Sequence, residues 1–448
     1  MSEPQERMAE PSRRFRLFAR TWAVAALFHL TLPDVRHLEW LVPDLLLGLS
    51  AVALLVRPVA PPRRLGWALW LAGLAGLVWP LLLLGDQLTQ SVHLSVMAGA
   101  VLICARGSDD RAHAWTVRWA TIAVYGIAAF HKLNRDFLNG DVSCAAGGVK
   151  LLGENWGWTF GPSPIDPYWP FLFLAAELGL VLLFRLRPRW AIPIALTMHV
   201  PLTIVFAPAF AWVMVAGYPC FFDDEGIERL GARLRARWLW VVGVGGTLAA
   251  IDATLYFQDH WIGYPAWQIS EAGVWLLWAA AWVALGPWSD VAVQGWRDAR
   301  AKQTGALLLA AFALNALTPY LGLQVHHTAA MLSNVRIDEG CWNHLIVPEA
   351  IRLRDPYVRI DHADPAASAR GRDELIDHLH DRLWPPHALH ESIRDACRHG
   401  AAPLALEGRY GGRPFQTPNA CTDLPVPPGH PGLFQTNLTR DCPQRCIH

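Results

Sequence analysis

Among the ionisable side chains in or at the ends of apolar runs of this 448-residue chain, His93, Lys132, Glu177 and His199 are the ones that could do chemistry. Moving such groups out of water is costly, so inside a membrane they face the bundle interior or a wet cavity. Lys132 belongs to the stretch Tyr125-Gly-Ile-Ala-Ala-Phe-His-Lys-Leu-Asn-Arg-Asp-Phe-Leu-Asn-Gly140, which starts as an apolar helix and ends polar. Its small residues Gly126, Ala128 and Ala129 permit close helix packing, and packing beside Lys132 would partly dehydrate it. An amine held out of water gives up its proton more readily, which is how lysines become bases. The same spacing also fits a lysine that snorkels to the headgroups. Glu177 is suited to hold a lysine or histidine by hydrogen bond, or to bridge two helices. Far downstream, Ser333-Asn-Val-Arg-Ile-Asp-Glu-Gly-Cys-Trp-Asn-His344 gathers polar, charged and turn-forming residues. It reads either as a cap over the mouth of a membrane cavity or as a self-satisfied network of turns.

The elements that must position these residues are apolar helices. The chain is 53% hydrophobic and 17% charged, against about 25% charged residues in a typical soluble domain. Many of its 23 tryptophans end apolar runs, as Trp40, Trp79, Trp115, Trp190, Trp238 and Trp288 do, a placement that suits the headgroup layer. A crossing needs about 20 mostly apolar residues. On that basis we expect an all-α polytopic membrane protein with about eleven transmembrane helices (nine to eleven) and a small mixed extracytoplasmic C-terminal region. The spans fall near 18-33, 41-56, 66-85, 91-105, 114-130, 168-184, 190-206, 210-222, 237-257, 273-288 and 304-321. His93 and Lys132 then lie towards the outer ends of their spans, and Glu177 and His199 nearer mid-membrane.

Arginine sorts the connections. Arg13, Arg14 and Arg16 precede the first span, Arg57, Arg63 and Arg64 follow the second, and Arg106 and Arg111 the fourth. Arg185, Arg187 and Arg189 follow the sixth, the run from Arg229 to Arg237 the eighth, and Arg297, Arg300 and Lys302 the tenth. The positive-inside rule makes these cytoplasmic. Residues 1-16 are then a cytoplasmic segment, 17-322 the membrane domain and 323-448 an extracytoplasmic region. A signal peptide is the rival reading of the first apolar run, although no small-x-small cleavage site follows it. Of 38 basic residues only Lys132, Lys150 and Lys302 are lysines, a bias that suggests a GC-rich bacterial source and an inner-membrane location. Zero net charge gives no case for nucleic acid as a partner. The expected partners are membrane lipid and a peptide or protein substrate on the outer side.

Cys144, Cys341, Cys397, Cys421, Cys442 and Cys446 fall on the outer side, an even set in an oxidising compartment, and are expected to form disulfides. Zinc on Cys442, Cys446 and His448 is the alternative, without a second Cys-x-x-Cys knuckle to support it; no metal is expected. Cys104 and Cys220 sit at inner span ends. Asn437-Leu438-Thr439 is a glycosylation sequon only in a eukaryotic source. Amphipathic helices are expected near 371-383 and 387-398, with irregular or short-strand structure after residue 400.

The stretch Ala128-Ala-Phe-His-Lys-Leu-Asn-Arg-Asp-Phe-Leu-Asn-Gly140 resembles the A-G-x-x-K-L-x-x-D-W-x-x-G pattern of vitamin K-dependent γ-carboxylase and its bacterial relatives, the HTTM (horizontally transferred transmembrane) proteins. Three further pieces are similar in the same order: Ala176-Glu-Leu-Gly-Leu180, Met198-His199 through Pro219-Cys-Phe-Phe222, and Ser333-Asn-Val-Arg336 through Asn343-His344. The resemblance covers roughly residues 15 to 345, and only the lysine loop and the tail segment are specific.

What the resemblance implies is a lyase-type membrane enzyme whose Lys132 deprotonates reduced vitamin K or a menaquinone-type quinol. Oxygenation then yields a strong base that removes a glutamate γ-proton, and carbon dioxide traps the carbanion. His93 lies where the family has an Asn-His pair, and it joins Lys132 as a catalytic candidate. His131, Asn134, Asp136, Glu177 and His199 are the supporting or cavity candidates, and Asn334, Arg336, Asn343 and His344 those of the tail segment. The chain departs from the pattern at Val92, Ala129 and Phe137, which replace asparagine, glycine and tryptophan and put the quinone and glutamate contacts in doubt. The alternative is a non-catalytic membrane protein of the HTTM type that assists maturation or export of a secreted peptide. A transporter is weaker, since neither an inverted repeat nor paired broken helices are evident.

Overall fold

The computed structural model describes residues 10–446 except 31–37, 62, 86–87, 105–110, 156–162, 206–209, 331, 367–371 and 240–298, of which Gly243 and Thr247 are described. The expected spans at 237-257 and 273-288 lie almost wholly outside the described residues. What is described is mostly helical, with one small antiparallel sheet near the C-terminus.

The helices are α1 (Arg13–Leu30), α2 (Leu41–Val56), α3 (Arg64–Trp79), α4 (Thr89–Cys104), α5 (Arg111–His131), α6 (Arg135–Leu138) and α7 (Cys144–Asn155). Then come α8 (Trp169–Leu186), α9 (Pro188–Val205), α10 (Phe210–Gly217), α11 (Asp224–Ala236) and α12 (Ala299–Leu317). Among the described residues, three helical stretches are long and apolar enough to cross a membrane: Arg64–Leu84, Asp166–Leu186 and Gln303–Leu321. Leu41–Val56, Thr89–Cys104 and Phe210–Phe221 are apolar but shorter. This is fewer than the eleven spans expected, and α5 shows one reason. That helix packs against α4, α8 and α12, and it buries His113, Thr116, Arg118, Thr121 and Tyr125 on its way to Lys132. A helix enclosed by other helices can carry polar residues that lower its mean hydropathy.

The peripheral helices show the opposite pattern. On α2, Leu41, Leu45, Leu49, Val52 and Val56 are exposed at helical spacing, while Leu47, Ala51 and Leu54 are buried. Phe171, Leu172, Leu178, Leu182 and Leu186 do the same on α8. An exposed apolar stripe of this length is foreign to soluble monomers and suits acyl chains. Small residues let the inner faces meet: a Cβ added at Gly76 would stand 2.6 Å from the Pro43 carbonyl oxygen, and one at Gly73 2.7 Å from Trp22.

The bundle has two chemically distinct ends. At one, Asp223 caps α11 by accepting from Gly226 N, and Arg13 at the start of α1 pairs with Glu228 of α11. Phe15 and Phe18 pack on His113 near the start of α5, which places that start at the same end. Lys132 follows the far end of α5, against the tail.

The tail folds around strands β1 (Val358–Pro365), β2 (Leu383–Trp384), β3 (Leu404–Tyr410) and β4 (Arg413–Thr417), in the order β2-β1-β3-β4. Gly411 and Gly412, with φ of 58° and 76°, make the two-residue turn between β3 and β4. Helices α13 (Arg372–Asp381) and α14 (Pro386–Arg398) appear close to their expected places. Leu379, Leu389 and Ile393 from them bury against Val358, Ile360, Leu404 and Leu406 of the sheet. Disulfides join Cys144 to Cys446, Cys341 to Cys442 and Cys397 to Cys421. All six cysteines expected on the outer side are thus used in pairs, Cys442 and Cys446 included, while Cys104 and Cys220 stay outside the disulfides.

Candidate functional site

Lys132 caps a cavity of ≈ 50 Å³ whose lining is mainly apolar. Tyr125, Ala128 and Lys132 reach it from one face of α5 at i, i+3 and i+7 spacing. Glu177 of α8 and His199 of α9 close it from the opposite side, with Thr89 of α4 at its edge. The Lys132 Nζ donates to Glu177 Oε1 at 2.7 Å, and both side chains are only 8% exposed. The ammonium also lies 5.7 Å from the centroid of the Phe137 ring, within cation–π range. Glu177 Oε2 has no hydrogen-bond partner among the described residues. Lys132 is therefore held in a buried position by a carboxylate.

Deeper in the bundle a chain of hydroxyls and imidazole continues from the cavity. Tyr125 Oη lies 3.1 Å from His199 Nε2 and 3.2 Å from Tyr218 Oη, all buried. Lys132, Glu177 and His199 thus converge. His93 does not join them: it is buried on α4, one turn from Thr89, with its ring 6.1 Å from that of Phe312.

The roof of the cavity comes from the tail. Ala329 and Leu332 line it, and both have left-handed backbones, as do His327 and Asn334, with φ between 55° and 68°. These four are the non-glycine residues with positive φ among the described residues. Each such conformation costs an ordinary residue about 1–2 kcal/mol. The network around the roof holds them in place.

That network explains the remaining candidates as supports. Asn134 caps α6 by accepting from Phe137 N, and its amide donates to the carbonyls of His131 and Ser333. His131 turns from the cavity to bond Tyr320 Oη at 2.8 Å and the Thr328 carbonyl at 3.0 Å. Asn334 Oδ1 accepts from Cys144 N and its amide donates to the Val142 carbonyl. Asn343 Oδ1 accepts from Arg336 N, while the backbone of Asn343 accepts from Arg135 N. His344 donates through Nε2 to the Phe130 carbonyl and accepts at Nδ1 from the amides of Ile346 and Val347. That pattern needs a neutral ring, and burial accordingly depresses the His344 pKa. Arg336, fully buried, forms a two-point pair with Asp338 and donates to the carbonyls of Thr439 and Asp441. Burial raises the Asp136 carboxyl, with the Asn343 hydrogen bond and the Arg336 charge pulling the other way.

The lysine loop and the Ser333–His344 segment are thus one interlocked unit, and the C-terminal stretch is bound to both sides of it by the Cys144–Cys446 and Cys341–Cys442 disulfides. Tyr125, Ala329 and Leu332 are site residues the sequence reading assigned no role. Tyr125 was discoverable, being two helical turns before Lys132 on the same face. Ala329 and Leu332 carry no signal in their residue types. No family model matches the chain, and no curated protein or solved structure does either.

Proposed function

We propose that the chain is a membrane-embedded enzyme of the vitamin K-dependent γ-carboxylase type, a bacterial HTTM-like protein in which Lys132 accepts a proton from its substrate. The observation that carries this reading is the Lys132–Glu177 pair, buried at 2.7 Å inside a chiefly apolar cavity and roofed by Ala329 and Leu332 of the tail. The wider topology belongs to the same proposal: about eleven crossings, the Arg13 end cytoplasmic, and the disulfide-bearing tail periplasmic in a bacterial inner membrane.

A charged pair in such surroundings gains Coulomb energy but loses the hydration of both ions. Moving one proton from Nζ to the carboxylate gives a neutral amine beside a carboxylic acid and needs no other counter-ion. That neutral amine is the proton acceptor. Glu177 acts as the positioning residue that takes the lysine proton, and the roof excludes water that would quench a carbanion.

The quinol that the resemblance implies is larger than the cavity in its closed arrangement, so this reading requires the roof of Ala329 and Leu332 to open for it. At ≈ 50 Å³ the cavity has room for a few waters, whereas an apolar cavity of about 150 Å³ takes benzene. The test is to incubate purified protein with menahydroquinone, oxygen and a glutamate peptide. Epoxide and fixed carbon dioxide, both abolished by Lys132→Ala, are expected; absence of both products from the wild type would sink the reading.

The folded tail favours a second reading. Its sheet and two helices enclose a core of their own, as suits a non-catalytic protein that binds a secreted peptide during maturation or export. Crosslinking of the tail in cells, with no peptide captured, counts against it.

A further inference from the structure

Between the lysine loop and the sheet, the tail exposes large apolar side chains that nothing among the described residues covers. Leu345 is 51% exposed, Ile346 64%, Ile351 41% and Leu353 71%. Their backbone is fixed at a definite height. Leu345 N donates to the carbonyl of Leu133, directly beyond the end of α5, and Leu353 N to that of Leu321, at the end of the 303–321 apolar helix. Arg354 Nε donates to the Gly322 carbonyl at 3.1 Å. The two helix ends are neighbours, joined by Phe130 against Tyr320, with ring centroids 5.7 Å apart. Residues 345–353 therefore bridge the outer rims of two helices and lie within about one helical turn of their ends.

The apolar surface continues below. Leu323 is 36% exposed beyond the helix end, and Leu317 and Leu314 on α12 are 43% and 65% exposed. Charge within the segment is neutralised locally, since Glu349 pairs with Arg352 at 3.0 Å. Trp342 donates from its indole to the Val347 carbonyl at 2.8 Å, a fixed aromatic of the sort that collects at the headgroup layer.

We propose that residues 345–353 dip into the outer leaflet, with Leu345, Ile346, Ile351 and Leu353 among the acyl chains. The inference rests on the membrane reading above and goes beyond it. The segment follows His344, whose Nε2 is bonded to the lysine helix, so the bilayer itself clamps one side of the roof over Lys132. Lipid is favoured over a second protein copy because the patch is continuous with the exposed stripe of α12 and sits at its depth.

The test uses the full chain in phosphatidylcholine and phosphatidylglycerol vesicles containing radiolabelled lipid. Benzoylphenylalanine is placed singly at Ile346, at Leu353, at Leu314 on the apolar helix, and at the exposed Gln416 of β4. Lipid adducts at positions 346 and 353 comparable with those at 314, and none at 416, are expected. Adducts at 314 but not at 346 or 353, or a crosslink from 346 to a second copy, overturn this inference and leave the membrane reading standing. Loss of lipid adducts at 314 as well overturns both.

Discussion

Breaking the Lys132–Glu177 pair from each side in turn separates a buried pair from a lysine at the headgroups. Both side chains are 8% exposed and the contact is 2.7 Å. Removing one partner of such a pair leaves a charge stranded out of water and costs about 3–5 kcal/mol, whereas replacing both by apolar residues is often neutral or better. Lys132→Met and Glu177→Leu should therefore each destabilise by about 3–5 kcal/mol, and the double variant should recover most of that loss. The Phe137 ring adds about 0.5–2 kcal/mol to the lysine side of the cycle, so Lys132→Met is expected to be the costlier single change. The assay is denaturant or thermal unfolding in nanodiscs, followed by tryptophan fluorescence, for the wild type and the three variants. An exposed pair contributes about 0–1 kcal/mol and its cycle is additive. Two single variants close to wild type with additive effects would refute the buried-pair argument and remove the basis for a base at Lys132.

Three further outcomes follow from the roof and the bundle. The folded state holds His344 neutral, its pKa lowered from the ordinary 6.5. Its contribution to stability is thus present above pH 6.5 and lost as pH falls through the lowered value. Unfolding of the wild type should show an acid-side decline that His344→Gln flattens. Arg336→Met leaves the fully buried Asp338 with Arg359 at 4.0 Å as its nearest cation. That change should cost about 3–5 kcal/mol, read as increased protease sensitivity of the tail. Gly76→Val pushes a side chain against the Pro43 carbonyl and Leu47, and should cost about 1–3 kcal/mol in the same unfolding assay.

The lysine and its loop were legible because polar residues at the end of an apolar run have few places to go. Lys132, Glu177 and His199 all stand in apolar surroundings, and the structure brings them to one cavity. His93 has the same sequence signature but lies beside Phe312 outside the lining, since a lone polar residue on a helix does not reveal which neighbour it meets. The Ser333–His344 segment offered two readings, a cap and a turn network; it is a turn network, and the residues that roof the cavity, Ala329 and Leu332, lie just before it. The tail strands at 404–410 and 413–417 were foreshadowed by turn-forming residues after 400, whereas in β1 a bulge between Ile360 and His362 shifts the alternation from Val358 and Ile360 to Ala363 and Pro365, which hides it from a period-two reading. The eleven spans were read as apolar runs, the one at 114-130 included. Among the described residues three helical stretches are long and apolar enough to cross, and α5, which buries His113, Arg118 and Thr121 along its length, is not one of them.

The disulfide between Cys144 and Cys446 joins residues 302 positions apart, and Cys341 waits likewise for Cys442. Ribosomes deliver the lysine loop long before its clasp, so a nascent chain exposes that loop open and thiol-bearing throughout the synthesis of the intervening helices. The clasp can form only after the distal segment has been made and its thiols oxidised. Covalent locking of this region is thereby timed by completion of the tail, and any chain halted before Cys442 leaves Cys144 and Cys341 without their native partners.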